Sequence, residues 1–203
     1  MIFNFSKSYQ FNTRLYLKDN LLNQVRETCL LGVIISDNLK WHSNTANIVT
    51  RCYQRMLILR NLSPFHVPVE DMVNIYCLYI RSVAEQSSVV WSSSITTGEE
   101  YDLERIQKVA LRIILQENYS NYASALNLTN LETLKARRSL LSKRFAIKCT
   151  KKDRTKDMFP EAVHHVETRF PEKYVVTNSK TSRLAVSAIP SMQRQLNKLK
   201  KKC

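Results

Sequence analysis

The chain has glycine at only two of its 203 positions, Gly32 and Gly98, and this scarcity constrains the fold more than any other feature. Tight turns between β-strands depend on glycine for backbone conformations that other residues avoid. The chain also has only five prolines, so it is poor in turn residues altogether. We therefore expect a mainly α fold, in which helices are joined by short links, rather than a β-sandwich or a barrel.

Short strands are predicted only in the first 36 residues. The segment "IFNF" (2–5) alternates apolar and polar side chains, and "RLYLKDNLLNQV" (14–25) has the pattern of a hairpin that turns at Lys18-Asp19-Asn20. The segment "TCLLGVII" (28–35) is expected to be a third strand, covered on both faces. Gly32 lies inside it, and a glycine inside a strand indicates a bulge or a close approach of the backbone to another group.

Beyond Asn44 the apolar residues recur with the 3.6-residue period of helices, and four helices are predicted. The second, "VEDMVNIYCLYIRSVAEQ" (69–86), follows a break at Pro64 and Pro68 and is apolar nearly all round, which predicts the buried centre of a bundle. The third is expected to begin near Glu99 and the fourth to span about 131–150. The inward-facing residues predicted for the first helix are Ile48, Cys52, Met56 and Leu59. Those predicted for the third helix are Leu103, Ile106, Ala110 and Ile113, and those for the fourth are Leu134, Leu141 and Phe145.

This pattern divides the chain into three regions. Residues 1–38 form a small antiparallel β element, 39–150 a helical bundle, and 151–203 a basic, partly flexible tail with a last short helix over about 190–199. The apolar periodicity ends near Cys149, so the tail lacks a continuous stripe that could offset the entropy of ordering it.

The net charge of +14 is concentrated in the second half of the chain. Residues 1–100 contribute +1 and residues 101–203 contribute +13, which favours a face that meets nucleic acid, an anionic membrane or an acidic partner. A solvated basic helix surface would give the same composition. The candidate phosphate contacts lie off the apolar stripes and are Arg51, Arg55, Arg105, Lys108, Arg112, Arg137, Arg138, Arg144 and Lys148.

Motifs for catalysis, for cofactors and for metal ions are not found in the sequence. It has no glycine-rich phosphate loop and no nucleophile elbow, and its carboxylate pairs, Glu70-Asp71 and Glu99-Glu100, fall where helices are expected to begin. The five cysteines form no C-x-x-C pair and no histidine has a matching spacing, so a zinc site is not expected. Cys52 and Cys77 lie on apolar helical faces, as buried free thiols in a reducing compartment would.

A secretory signal and a membrane span are not predicted either. No apolar run approaches the about 18 residues that a span requires. The sequence therefore favours an intracellular protein, nuclear or cytoplasmic, that is neither secreted nor inserted in a membrane and that uses no cofactor.

Three segments, taken in order, resemble a known family. They are "LLGVIISDNLKWHSNTANIVTRCYQRMLILRNLS" (30–63), "IYCLYIRSVAEQSSVVWSSS" (75–94) and "DLERIQKVALRIIL" (102–115). Their order and spacing resemble the C-terminal third of reverse transcriptases from non-LTR retrotransposons of the Jockey and chicken-repeat type. The matching residues are Leu31-Gly32-Val33, Asp37, Leu39, Trp41, Leu59-Arg60, Leu62, Tyr76, Ile80-Arg81, Glu85, Val90-Trp91, Leu103-Glu104, Gln107, Ala110 and Arg112.

The resemblance implies a primer-grip hairpin at Leu31-Gly32-Val33, followed by the helical thumb of an RNA-directed DNA polymerase. In such a grip the backbone at Gly32 would lie against the sugar-phosphate chain of the primer, where a side chain would hold the two apart. A bulge, or a tight contact with a neighbouring helix, would explain the same glycine.

The family's catalytic aromatic-x-Asp-Asp motif is missing, since the chain contains no Asp-Asp dipeptide. The resemblance therefore implies a fragment without the catalytic palm and without polymerase activity, able at most to bind the backbone of RNA, DNA or a hybrid. A helical protein-interaction module that binds an acidic partner and a non-functional open reading frame are the alternatives. A helix-turn-helix DNA reader fits less well, because no short recognition helix follows a glycine-containing turn.

Overall fold

The computed structural model describes residues 14–23, 25–162 and 172–200, and the strand predicted over 2–5 lies outside them. In the described part, the chain is mainly helical and begins with two small antiparallel hairpins, so the predicted fold class is confirmed.

The first hairpin pairs β1 (Tyr16–Leu17) with β2 (Asn20–Leu21). Leu17 lies opposite Asn20, so Lys18 and Asp19 alone form the turn. The predicted hairpin is confirmed, with its turn one residue shorter than expected.

The second hairpin replaces the single strand predicted over 28–35, and that prediction is wrong. Here β3 (Glu27–Leu30) pairs with β4 (Val33–Ser36), and Leu30 lies opposite Val33. Leu31 and Gly32 form a two-residue turn with φ angles of 51° and 78°. Positive φ at both positions is the geometry of the hairpin turns whose twist matches that of the paired strands. β4 packs against α1, while β3 is largely exposed, so the segment is not covered on both faces.

The helices follow the hairpins. They are α1 (His42–Arg55), α2 (Leu57–Leu62), α3 (Val69–Ile75), α4 (Ser82–Glu85), α5 (Ser88–Trp91), α6 (Thr97–Leu115), α7 (Tyr122–Thr129), α8 (Leu134–Thr150), α9 (Asp153–Lys156), α10 (Ser182–Ala185) and α11 (Ala188–Lys200). A π-helical segment, Tyr76–Arg81, joins α3 to α4 without a break, and short 3₁₀ helices cover Ser63–Phe65 and Gln116–Asn118.

The first predicted stripe is confirmed, because Ile48, Cys52, Met56 and Leu59 are all buried. These side chains lie on one side of α1 and α2, since residues three or four apart share a helix face. That face packs on α6 and on the π-helical segment.

The helical stretch over 69–85 is not the buried centre that its composition predicts. Met72, Tyr76 and Ile80 are buried, but Leu78 is 78% exposed and Tyr79 is 45% exposed on the opposite side. The chain places α6 at the centre instead, where it packs against α1, α2, α3, α7 and α8. Only one face of the stretch is therefore packed, and the apolar side chains on its other face are exposed to solvent.

Helix α6 begins with a capping box. The Glu99 backbone N–H donates to Thr96 Oγ1 at 3.3 Å, and the Thr96 backbone N–H donates to Glu99 Oε2 at 2.7 Å. The exchange satisfies two donors that the start of a helix leaves without partners. The predicted acidic start of this helix is confirmed at Glu99 and Glu100.

The fourth predicted helix exists as α8, but its buried face differs from the prediction. Leu134 is buried as expected, whereas Phe145 is 45% exposed. The buried face carries Arg138, Ser142, Ala146 and Cys149. These residues are spaced by three or four and define a helix face that contains small and polar side chains, which a search for large apolar residues does not detect.

The tail packs against the second half of α8 and forms a second, smaller core. Its buried members are Ala146, Cys149, Phe159, Tyr174, Met192 and Leu196. The side-chain amide of Asn197 in α11 forms two hydrogen bonds with the backbone of Tyr174. The Tyr174 N–H donates to Asn197 Oδ1 at 2.9 Å, and Asn197 Nδ2 donates to the Tyr174 carbonyl at 2.9 Å. The expectation that the tail lacks an apolar stripe is therefore wrong, because Ala188, Met192, Leu196 and Leu199 recur at helical spacing along α11 and pack in this core.

Candidate nucleic-acid interface

Three cations lie in a row on the outer side of α6, and we call Arg105, Lys108 and Arg112 the α6 basic stripe. They lie off the buried face, which carries Leu103, Ile106 and Ala110. The stripe forms no ion pair with any residue that the structure describes. Its cations are therefore not neutralised by a described carboxylate, and a row of such cations attracts anionic ligands.

Tyrosine rings are the partners that the stripe does have. Lys108 Nζ lies 5.4 Å from the ring centre of Tyr101 and 5.3 Å from that of Tyr122. Arg112 Cζ lies 5.4 Å from the ring centre of Tyr119. A cation at such distances is attracted to the π face, by about 0.5–1 kcal/mol at an exposed site. The rings hold the cations in place without neutralising them.

Tyr119 and Tyr122 contact the core as well as the stripe. Both side chains are half-buried against the core. The Tyr122 hydroxyl donates to the Glu104 carboxylate and accepts a hydrogen bond from Gln107 Nε2 at 3.1 Å. Burial, and then the hydrogen bond to Glu104, raise the pKa of Tyr122, so the hydroxyl stays neutral and Lys108 faces an uncharged ring.

A buried hydrogen-bond network beneath the stripe fixes α6 against its neighbours. Tyr76 donates to Gln107 Oε1 at 2.8 Å, and Gln107 Nε2 donates to the Glu132 carbonyl at 2.8 Å. Glu104 accepts the backbone N–H groups of Leu134 at 3.1 Å and Lys135 at 3.2 Å. A carboxylate at a helix N-terminus satisfies free donors and complements the helix dipole. The sequence signal for this network is Gln107, a polar residue on the buried face.

The predicted contacts Arg51, Arg55 and Arg137 lie elsewhere, around the end of the helical stretch over 69–85. Arg51 Nη1 donates to Gln86 Oε1 at 3.2 Å. Arg55 Nη1 donates to the Tyr79 carbonyl at 2.7 Å, and its guanidinium lies 4.5 Å from the centre of the Tyr79 ring. Arg137 pairs with Glu85 at 3.0 Å. These three side chains therefore tie α1 and α8 to that stretch, and they form no part of the α6 basic stripe.

The assignment of Arg138 as a phosphate contact is wrong. Its side chain is only 1% exposed, with Nε donating to Ser92 Oγ at 3.2 Å and Nη2 at 3.8 Å from a Glu100 carboxylate oxygen. Burial lowers the pKa of Arg138, although nearby carboxylates favour the charged form. A guanidinium enclosed between α5, α6 and α8 cannot reach a phosphate. Arg144 and Lys148, in contrast, are exposed on the outer side of α8.

Gly32 has a close neighbour within the chain. A Cβ at this position would lie 2.6 Å from Gln86 Nε2, nearer than real Cβ contacts come. The turn geometry and this approach together account for the glycine, in line with the tight contact with a neighbouring helix that the sequence left open. They leave the predicted contact between Gly32 and a nucleic acid untested.

The part of the chain that the structure describes holds neither a metal site nor a membrane-spanning helix. No group of His, Cys, Asp and Glu side chains there could hold a metal ion, and no helix there is long and apolar enough to cross a membrane. Comparisons of the chain with protein-family models, with curated proteins and with solved structures find no match.

Proposed function

We propose that this chain binds the sugar-phosphate backbone of nucleic acid, without reading base sequence, through the α6 basic stripe. The observation that carries the proposal is the row of three uncompensated cations at Arg105, Lys108 and Arg112. The stripe extends about 10 Å along the helix, a length that matches about three successive phosphates of one strand of a duplex. Arg144 and Lys148, both exposed, add further positive charge.

The order of motifs supports a more specific form of this proposal. The chain would correspond to the primer-grip hairpin and thumb of a non-LTR retrotransposon reverse transcriptase of the Jockey and chicken-repeat type, without the palm that holds the catalytic aspartates. Such a fragment binds template and primer but adds no nucleotide. Primer extension on an RNA template with Mg²⁺ or Mn²⁺ tests this point, and extension that survives repurification would contradict it.

Backbone binding predicts a strong dependence on salt. If about 4 to 6 phosphates are neutralised, the plot of log K against log salt concentration has a slope of about −3 to −5, and less on single strands. Replacing Arg105, Lys108 and Arg112 together by Gln should flatten this slope by up to about 3.

A matched control is available outside both the stripe and the proposed primer-grip hairpin. Arg14, Lys18 and Lys151 are exposed and carry the same total charge, so their joint replacement by Gln changes the net charge equally but leaves α6 intact. We expect the control variant to keep nearly the slope of the unchanged protein. Equal slopes for the two triple variants would overturn the assignment of the stripe.

A competition experiment between three anionic ligands identifies the partner. A hybrid duplex, anionic vesicles and polyglutamate are compared at matched charge, because all three respond to salt. Preference for nucleic acid supports the proposal, and preference for polyglutamate would instead favour the alternative of a protein-interaction module.

A further inference from the structure

We infer that the α6 surface prefers single-stranded over duplex nucleic acid, because it offers Tyr101 as a platform on which an unpaired base stacks. This inference rests on the proposed function and goes beyond it, since backbone binding alone gives no reason to prefer single strands.

Tyr101 lies on the same side of α6 as the basic stripe. Residues 101, 105, 108 and 112 are spaced by three or four, so they form one row about 17 Å long. The row therefore places one aromatic ring at the end of three cations, and surfaces that hold a single strand combine these two kinds of side chain.

The Tyr101 side chain is 60% exposed and contributes nothing to the core. Among the described residues its one specific partner is Lys108, whose Nζ lies over the ring. Tyr119 and Tyr122 differ, because they are half-buried and pack against the core. Tyr101 is thus the ring on this surface that a base can reach.

Lys108 links the ring to the phosphate contact. Its ammonium sits between Tyr101 and Tyr122, at 5.4 and 5.3 Å from the two ring centres. A phosphate that draws this ammonium outward uncovers the face of Tyr101. The exchange is favourable, since a base stacked on an aromatic ring contributes more than an exposed cation–π contact.

A duplex cannot use this platform, because its bases are paired and stacked inside the helix. It reaches the surface with phosphates only, whereas a single strand offers phosphates and base faces together. Electrostatics alone would favour the duplex, whose charge density is higher. A preference for the single strand is therefore a specific signature of stacking.

The test compares three probes of equal phosphate number at one salt concentration: oligothymidine, an abasic strand with the same backbone, and a duplex. We expect oligothymidine to bind about tenfold more tightly than the abasic strand, within the about 5- to 150-fold that one stacked base provides. Tyr101→Ala should remove that advantage, and Tyr101→Phe should keep it. Neither variant should change the affinity for the duplex.

Tyr16 supplies the matched control, since it is 58% exposed and belongs to the first hairpin rather than to α6. Tyr16→Ala should leave all three affinities unchanged. Equal affinities for oligothymidine and the abasic strand would overturn the inference, and so would a Tyr101→Ala variant that retains the difference. In either case, binding to the duplex would leave the proposed function standing. If none of the probes binds, the proposed function fails as well.

Discussion

The amide of Gln86 occupies the place where a side chain at Gly32 would begin: its Nε2 lies 2.6 Å from the position of a Cβ at Gly32. The same amide accepts a hydrogen bond from Arg51 through Oε1. The turn of the second hairpin, the end of α4 and helix α1 therefore meet at one side chain. The hairpin is attached to the bundle in a way that depends on the absence of a Cβ.

The first prediction concerns this contact. Gly32→Ala should lower the free energy of unfolding by about 1–3 kcal/mol, because alanine is strained at a φ of +78° and its Cβ displaces Gln86. The other glycine is the control: a Cβ at Gly98 would meet only Thr96 Oγ1, at 3.9 Å. Gly98→Ala should be neutral or stabilising by up to about 1 kcal/mol. Urea unfolding of the two variants checks the prediction, and equal effects would contradict it.

The second prediction concerns Glu104, which accepts the first two backbone N–H groups of α8. Glu104→Ala should cost about 1–3 kcal/mol, because those donors and the Tyr122 hydroxyl lose their acceptor. Glu117→Ala, at an exposed position, should change stability by less than about 0.5 kcal/mol. Hydrogen exchange gives a local readout, since the amides of Leu134 and Lys135 should exchange faster only in the Glu104 variant. Unchanged exchange at both amides would show that Glu104 does not cap α8.

The third prediction is a loss of stability at alkaline pH. Burial raises the pKa of Cys52 from 9.0 to about 12, and burial also raises the pKa of Tyr76 well above 10. The unfolded thiol loses its proton near pH 9 while the folded thiol keeps it, so the unfolded state binds fewer protons above that pH. Stability is therefore fully present below pH 9 and falls as the pH rises from 9 to 12, by at most about 1.4 kcal/mol per pH unit from Cys52.

Unfolding in urea with a reducing agent, at pH 8, 9.5 and 10.5, measures this loss. Cys52→Ala should be less stable at pH 8 but should lose less stability between pH 8 and 9.5. Cys29 is exposed, and Cys29→Ala should follow the unchanged protein at every pH. The same pH dependence in the Cys52 variant would rule out the thiol as its source.

The fourth prediction separates Arg138 from the phosphate contacts. Its Nη1 and Nη2 atoms are buried without a hydrogen-bond partner. Because an apolar side chain of similar volume avoids the desolvation of the charge, Arg138→Met should keep stability within about 1.5 kcal/mol of the unchanged protein or raise it. Its salt slope for nucleic-acid binding should stay the same, whereas Arg112→Gln should flatten that slope by about 1. A flatter salt slope in the Arg138→Met variant would show that Arg138 contacts the nucleic acid after all.

The fifth prediction tests how the tail is held. Asn197→Ala removes both hydrogen bonds to the backbone of Tyr174 and should cost about 1–3 kcal/mol, confined to the second core. Limited proteolysis should then cut faster between residues 151 and 183, while 39–134 stays protected. Asn127, which is exposed on α7, provides the control substitution Asn127→Ala. Faster cleavage throughout the bundle would mean that the two cores unfold together.

Local periodicity was sufficient to predict α1 and α6. Their buried faces repeat large apolar residues at helical spacing, as at Ile48 and Cys52 or Leu103 and Ile106, and each spacing is a property of one short segment. The separate basic stripe on α6 followed from the same periodicity.

The remaining features depend on contacts between distant segments. The turn at Leu31-Gly32 lacks the Asn or Asp that usually marks such a turn, so the apolar run read as one strand. Arg138 and Asn197 are polar residues on buried faces, and only the packing of α8 against its neighbours shows that they point inward. The cations of the stripe were predictable, but the position of the Tyr122 ring beside Lys108 depends on where α7 packs.

Helix α8 contributes to both cores, and this affects the order in which the two cores fold. Every buried member of the larger core lies between Val33 and Leu134, so that core is complete in sequence once the first turn of α8 has been synthesised. Domains fold largely as units during synthesis, N-terminal part first. The bundle can therefore close while the ribosome is still adding the residues that follow Leu134. Ala146 and Cys149 then remain uncovered on the new helix until α11 arrives, which makes this interval the one in which a nascent chain offers an apolar surface to a chaperone.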